Sequence, residues 1–157
     1  MSFKKKYAAL VATAAIAALA LSGCAASTEK AAPAAGDHKD IKICVYTHGD
    51  GGTFWSVAQK GAEAAAADLG VTLDYQGANN DAAKQAATIE AGIAAGCKGI
   101  ASSVPDAGAL KGPMLAAKAA GIPTVTMNSG SAVYKELGAF THVGQDEIIA
   151  GQQAGLK

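Results

Sequence analysis

"IKICVYTHGDGGTFWSVAQKGAEAAAADLGVTLDYQ", residues 41 to 76, contains one full period of the pattern that organises the chain. "IKICVYT" (41–47) is a short apolar run of strand length. Residues 53–69 form an alanine-rich amphipathic stretch closed by Gly70, and "VTLDYQ" (71–76) is a second strand. The beat then continues with a helix over 81–95 ended by Gly96, a strand "KGIASSV" (98–104), a helix over 107–120 stopped by Gly121, and a strand "IPTVTM" (122–127). After a loop come a fifth short strand, "FTHVG" (140–144), and a helix from about Asp146 onward. Thr53, Asp81 and Asp106 stand where helix N-caps belong. Alternating strands and helices with short joints predict an α/β fold: a doubly wound parallel sheet of about five strands in flavodoxin-like order. Ligands of such sheets bind beyond the carboxyl ends of the strands, where the strand order reverses. The loops to inspect are therefore 48–53, 76–80, 102–106, 128–131 and 144–146.

Upstream of this pattern, "MSFKKKYAALVATAAIAALALSGC" has a lysine-rich start, an apolar run from Tyr7 to Leu21, and Leu21-Ser22-Gly23-Cys24. It reads as an export signal over residues 1–23, because the apolar run is shorter than the roughly 20 residues of a spanning helix. "LSGC" resembles the lipobox of bacterial lipoproteins, which implies lipid on Cys24 and attachment to a membrane. Residues 24–40 then read as the lipidated cysteine and a flexible tether, in which His38 is a solvated linker residue, and the ligand-binding part spans 41–157.

Charge and motifs exclude several function classes. Thirteen lysines, no arginine and thirteen acidic residues give zero formal net charge, so no basic stripe is available for nucleic acid. Without arginine the bidentate clamp for carboxylates and phosphates is missing, which favours a neutral polar ligand. "GDGGT" (49–53) lacks the third glycine of a dinucleotide fingerprint, since position 54 is Phe54, and no P-loop lysine follows a glycine run. No nucleophile elbow or zinc-protease motif occurs, and the Ser-x-x-Lys match Ser27 to Lys30 falls in the tether. His48 and His142 could act as bases beside Asp50, Asp106 or Asp146, but a structural role suits each better. No metal site and no cofactor are expected. Cys44 and Cys97, in an exported chain, could pair, though their apolar settings suit buried free thiols better.

What remains in the loops is suited to a sugar. Aromatic rings stack on the C–H face of such a ligand, and short polar side chains take its hydroxyls. The chain offers Phe54 and Trp55 for the first task and Ser103, Asp106, Asn128 and Ser129 for the second, with the glycine run letting a ligand approach the backbone.

From Ile41 onward, "THGDGGTFWSVAQKGAEAAAADLGVTLDYQGANND", "AGIAAGCKGIASSVPDAGAL", "AAGIPTVTMNSGS" and "THVGQDEIIAGQQAG" resemble the amino-terminal lobe of the ribose-binding-protein-like type I sugar-binding lipoproteins of ABC importers. The resemblance implies one lobe of a two-lobe periplasmic binding protein that clamps a small carbohydrate and presents it to an importer permease. It implies stacking by Phe54 and Trp55 and polar contacts from Ser103, Asn128 and Ser129. Asn128-Ser129 replaces the Asp-Arg pair common in that family, which removes two charges and points away from an aldopentose or aldohexose held in the family's commonest way, towards a different polyol, sugar or furanone-type signal. The chain reaches Lys157 inside a helix near the end of the first lobe, so a fragment is expected rather than a complete single-lobe protein. A chemoreceptor input of the same fold and, less well supported, an exported enzyme on a flavodoxin-like sheet are the rival readings.

Overall fold

A computed structural model describes residues 36–156. The signal segment, Cys24 and the tether up to residue 35 lie outside the described residues. The elements run β1 (His38–Thr47), α1 (Gly52–Leu69), β2 (Val71–Gly77), α2 (Ala82–Ala94), β3 (Gly99–Ser102), α3 (Ala107–Ala119), β4 (Thr124–Met127), β5 (Thr141–Val143) and α4 (Glu147–Gly155). The five strands form one parallel sheet in the order β2-β1-β3-β4-β5, the flavodoxin-like order expected from the alternation.

Several element ends move by one to three residues from the sequence reading, and two of these shifts change an assignment. β1 begins at His38 instead of Ile41, because the end of the supposed tether pairs with β2. The His38 N–H donates to Gly70 O at 3.0 Å, and the Thr72 hydroxyl donates to Lys39 O at 2.8 Å. A register shift between His38 and Lys42 separates this extension from the regular ladder, and its side chains stay exposed, so the polar composition that suggested a linker is compatible with strand pairing. α1 begins at Gly52, with Gly51 at the N-cap and no side-chain cap, instead of at a Thr53 cap. Gly52 has φ +78°, a left-handed entry that glycine adopts without steric cost. Asp81, Asp106 and Asp146 do cap α2, α3 and α4, each carboxylate accepting backbone N–H groups from the first turn.

The strand alternation divides the side chains between two faces. On one face Cys44, Tyr46 and Ile100 meet Ile89 of α2 and Leu110 and Met114 of α3 in the main core. Tyr46 is fully buried, and its ring packs so closely on Gly92 of α2 that a Cβ there would overlap the phenol. Its hydroxyl donates to Asp74 Oδ2 at 2.9 Å across to β2. Burial, reinforced by that carboxylate, pushes the phenol pKa far up, so it stays protonated. α1 covers β1 and β2. The core also contains a disulfide between Cys44 and Cys97, with Cα atoms 6.0 Å apart. The sequence favoured free thiols here; the parallel pairing of β1 with β3, with Ile43 opposite Gly99, brings the two cysteines within bonding reach.

Candidate functional site

The strand order reverses at β1, between β2 and β3, so the loops after β1 and β3 part at the carboxyl edge of the sheet. Backbone bonds brace that edge: Asn80 N donates to His48 O at 2.6 Å and Ala78 N to Thr47 O at 2.9 Å. Asn79, Asn80 and Asn128 all sit at positive φ (55°, 60° and 60°), a conformation asparagine tolerates better than most residues and one that gathers at binding loops.

Three clefts lie along this edge. His48, Asn80, Ala82, Gln85, Pro105 and Asp106 line the first, of about 240 Å³. Phe54, Met127, Asn128, Val143, Gly144 and Gln145 line the second, of about 320 Å³. A third, of about 310 Å³, runs from Ser131 and His142 to the start of α4. No lysine lines any of them.

The expected aromatic pair divides its roles. Phe54 is 60% exposed and stands in the cleft beside Asn128. Trp55 is half-buried, with its ring in edge contact with both Phe54 and His48, centroids 4.9 Å away in each case. Its indole lies over Gly49, where a Cβ would collide with it. The glycine at 49 thus makes room for Trp55, a different reason from the ligand approach that the sequence suggested.

The four polar candidates divide as well. Asp106 lines the first cleft and caps α3, Oδ1 accepting from Ala109 N at 2.9 Å. Asn128 lines the second cleft. Ser103 is fully buried, and its Oγ lies 2.8 Å from both the backbone N and Nδ1 of His48. The Ser129 Oγ is buried without a partner among the described residues, while its carbonyl accepts from Val104 N at 3.1 Å. The structure therefore brings His48 and Asp106 together in one cleft and Phe54 and Asn128 in its neighbour, with Ser103 and Ser129 beneath. His48, Asn80, Gln85 and Gln145 line the clefts without having been named as ligand contacts; the strand-end loops already flagged in the sequence held all but Gln85.

Neither histidine has a base-and-carboxylate arrangement. His142 Nδ1 pairs with Thr126 Oγ1 at 2.8 Å, inside the sheet. His48 does face a serine hydroxyl, but Ser103 is closed to any substrate by burial. Desolvation holds the His48 pKa below its ordinary 6.5, favouring the neutral ring. Among the described residues no cluster of His, Cys, Asp and Glu could hold a metal ion.

The family described as "Periplasmic binding protein domain" matches residues 42–157. The chain belongs to that family. Among solved structures of periplasmic binding proteins and their kin, it is similar to a carbohydrate transporter from Acidothermus cellulolyticus 11B in complex with myo-inositol. That match has 44% identity and a TM-score of 0.69, over 73% of this chain and 40% of that one. It is also similar to an ABC sugar transporter, a periplasmic sugar binding protein, from Legionella pneumophila (27% identity, TM-score 0.70, 73% of this chain and 43% of that one). A third is an ABC transporter solute binding protein from Burkholderia graminis C4D1M in complex with D-arabinose (28% identity, TM-score 0.68, 76% of this chain and 40% of that one). No curated protein matches the chain. The chain thus spans less than half the length of these solved relatives. Periplasmic binding proteins are binding proteins, not enzymes, and membership implies an extracytoplasmic location, the setting in which disulfides persist.

Proposed function

We propose that the protein is the solute-binding component of an ABC-type importer, capturing a small neutral sugar or polyol outside the cytoplasm and held at the membrane by lipid on Cys24. The observation that carries the reading is the exposed Phe54 ring beside the Asn128 amide, on a sheet edge whose clefts contain no lysine. A flat apolar face next to neutral hydrogen-bonding groups matches a ligand with C–H faces and hydroxyls, and the described residues of the clefts offer an anion no lysine to pair with. The similar Acidothermus cellulolyticus protein was solved with myo-inositol, an uncharged polyol, which supports the same class here. Phe54, Trp55, Asp106 and Asn128 are the proposed ligand contacts, with Ser103 and Ser129 supporting them from below.

Titration calorimetry of the full-length protein with myo-inositol, D-arabinose and D-allose tests the reading. Phe54→Ala and Trp55→Ala are each expected to weaken binding by at least about 1 kcal/mol, roughly fivefold, from lost stacking and lost support of the stacked ring. Unchanged dissociation constants in both variants would remove the aromatic floor from the site. The anchor has its own test: the intact mass of protein from the native membrane fraction should begin at Cys24 and carry a lipid increment, and Cys24→Ser should release the protein to the soluble fraction.

A further inference from the structure

His48 occupies the point where β1 and β3 part, and its ring is fixed from two sides. The indole of Trp55 meets it edge-on at 83°. On the other side Ser103 Oγ lies 2.8 Å from Nδ1, and the same oxygen accepts the His48 backbone N–H at 2.8 Å. Ser103 is fully buried, and among the described residues both partners of its Oγ belong to His48. The backbone N–H can only donate, so the serine proton has one acceptor, Nδ1. A buried hydroxyl proton without an acceptor costs about 1–3 kcal/mol, enough to choose between the two neutral tautomers of the ring. Nδ1 is therefore the acceptor, and the ring proton belongs on Nε2. That nitrogen has no protein partner among the described residues, and His48 lines the cleft together with Asn80 and Asp106.

We propose that His48 is a specificity-determining ligand contact: Ser103 locks it as the Nε2–H tautomer, and that N–H donates to a hydroxyl or ether oxygen of the solute bound in the cleft. The inference rests on the solute-binding reading above and adds a polarity to it. His48 asks the ligand for a lone pair, so a solute presenting an ammonium group at that place is rejected. Ser103 acts through His48 as a positioning residue, which accounts for a buried serine at the end of β3.

Ring-nitrogen NMR on the full-length protein, with myo-inositol, D-arabinose and D-allose as probes, tests this directly. Free protein should show a protonated Nε2 and an unprotonated Nδ1 at His48, and the probe that binds should move the Nε2 signal. His48→Gln, which keeps an N–H near the Nε2 position, should hold affinity within about threefold, while His48→Asn, which does not reach it, should lose about tenfold. Ser103→Ala should mix the tautomers in the free protein, an effect that a purely structural serine would not produce. If a probe binds and perturbs Phe54 and Trp55 but leaves His48 Nε2 unmoved, or if His48→Asn binds like the native protein, His48 only braces Trp55 and the solute-binding reading stands without it. A proton found on Nδ1 overturns the inference in the free protein alone. Absence of binding by all three probes overturns the solute-binding reading and this inference together.

Discussion

Replacing both Cys44 and Cys97 by alanine is expected to lower the unfolding free energy by about 4 kcal/mol, the value that chain-entropy accounting gives for a cross-link closing a loop of this size. The bridge spans 53 residues of sequence and ties the middle of β1 to the turn between α2 and β3. Both cysteines are almost wholly buried, at 0% and 2% exposure, so the cross-link forms part of the core and holds together two strands that the chain visits far apart. A loss of this size is a large share of a small domain's total stability. Urea unfolding of the native and doubly substituted chains, read by Trp55 fluorescence, measures it. Coincident midpoints would mean that the thiols are free in the folded protein, and alkylation of the unreduced chain followed by mass measurement would then show two blocked cysteines.

The same bridge shows where sequence reading stops. The alternation of "IKICVYT", the helix over 53–69 and "VTLDYQ" made the parallel sheet legible, because strand and helix periods are local properties. The strand order, too, follows from common connection rules once the elements are known. Side-chain meetings across neighbouring strands are another matter. Cys44 and Cys97 each look like small apolar residues in their own segments, and only the register of β1 on β3 makes them partners. Ser103 and His48 repeat the lesson at the site. Each was visible at a strand end, yet the 2.8 Å contact that makes the serine a buried support for the histidine depends on the two strand ends being level. His38 illustrates the reverse case, a polar residue whose backbone is paired although its side chain is exposed.

Gln85→Leu should cost about 2 kcal/mol of stability, an effect the sequence gives little reason to expect of a polar residue on an alanine-rich helix. Gln85 is 1% exposed and shares the inward face of α2 with Ile89 and Gly92, a spacing of four and seven that was the one available clue. Its Nε2 donates to Ser103 O at 2.7 Å and to Ser102 Oγ at 3.1 Å, with Tyr46 O at 3.4 Å, so a single amide joins α2 to the ends of both β1 and β3. Leucine fills a similar volume but removes the shorter bond to the Ser103 carbonyl, which keeps only the Ser102 hydroxyl at 3.2 Å, and a buried polar group that loses bonding in this way costs about 1–3 kcal/mol. Loss of Oε1 offsets part of this, because that oxygen is buried without a partner among the described residues. The substitution acts at the floor of the first cleft, beneath Ser103 and hence beneath His48. It should therefore weaken solute binding as well as stability, whereas Asp81→Ala, which removes the cap of the same helix at its exposed end, should lower stability alone. Comparing the two variants separates loosening of α2 in general from loss of the anchor at the strand ends. Equal affinity in both would show that the cleft holds its shape without the Gln85 amide.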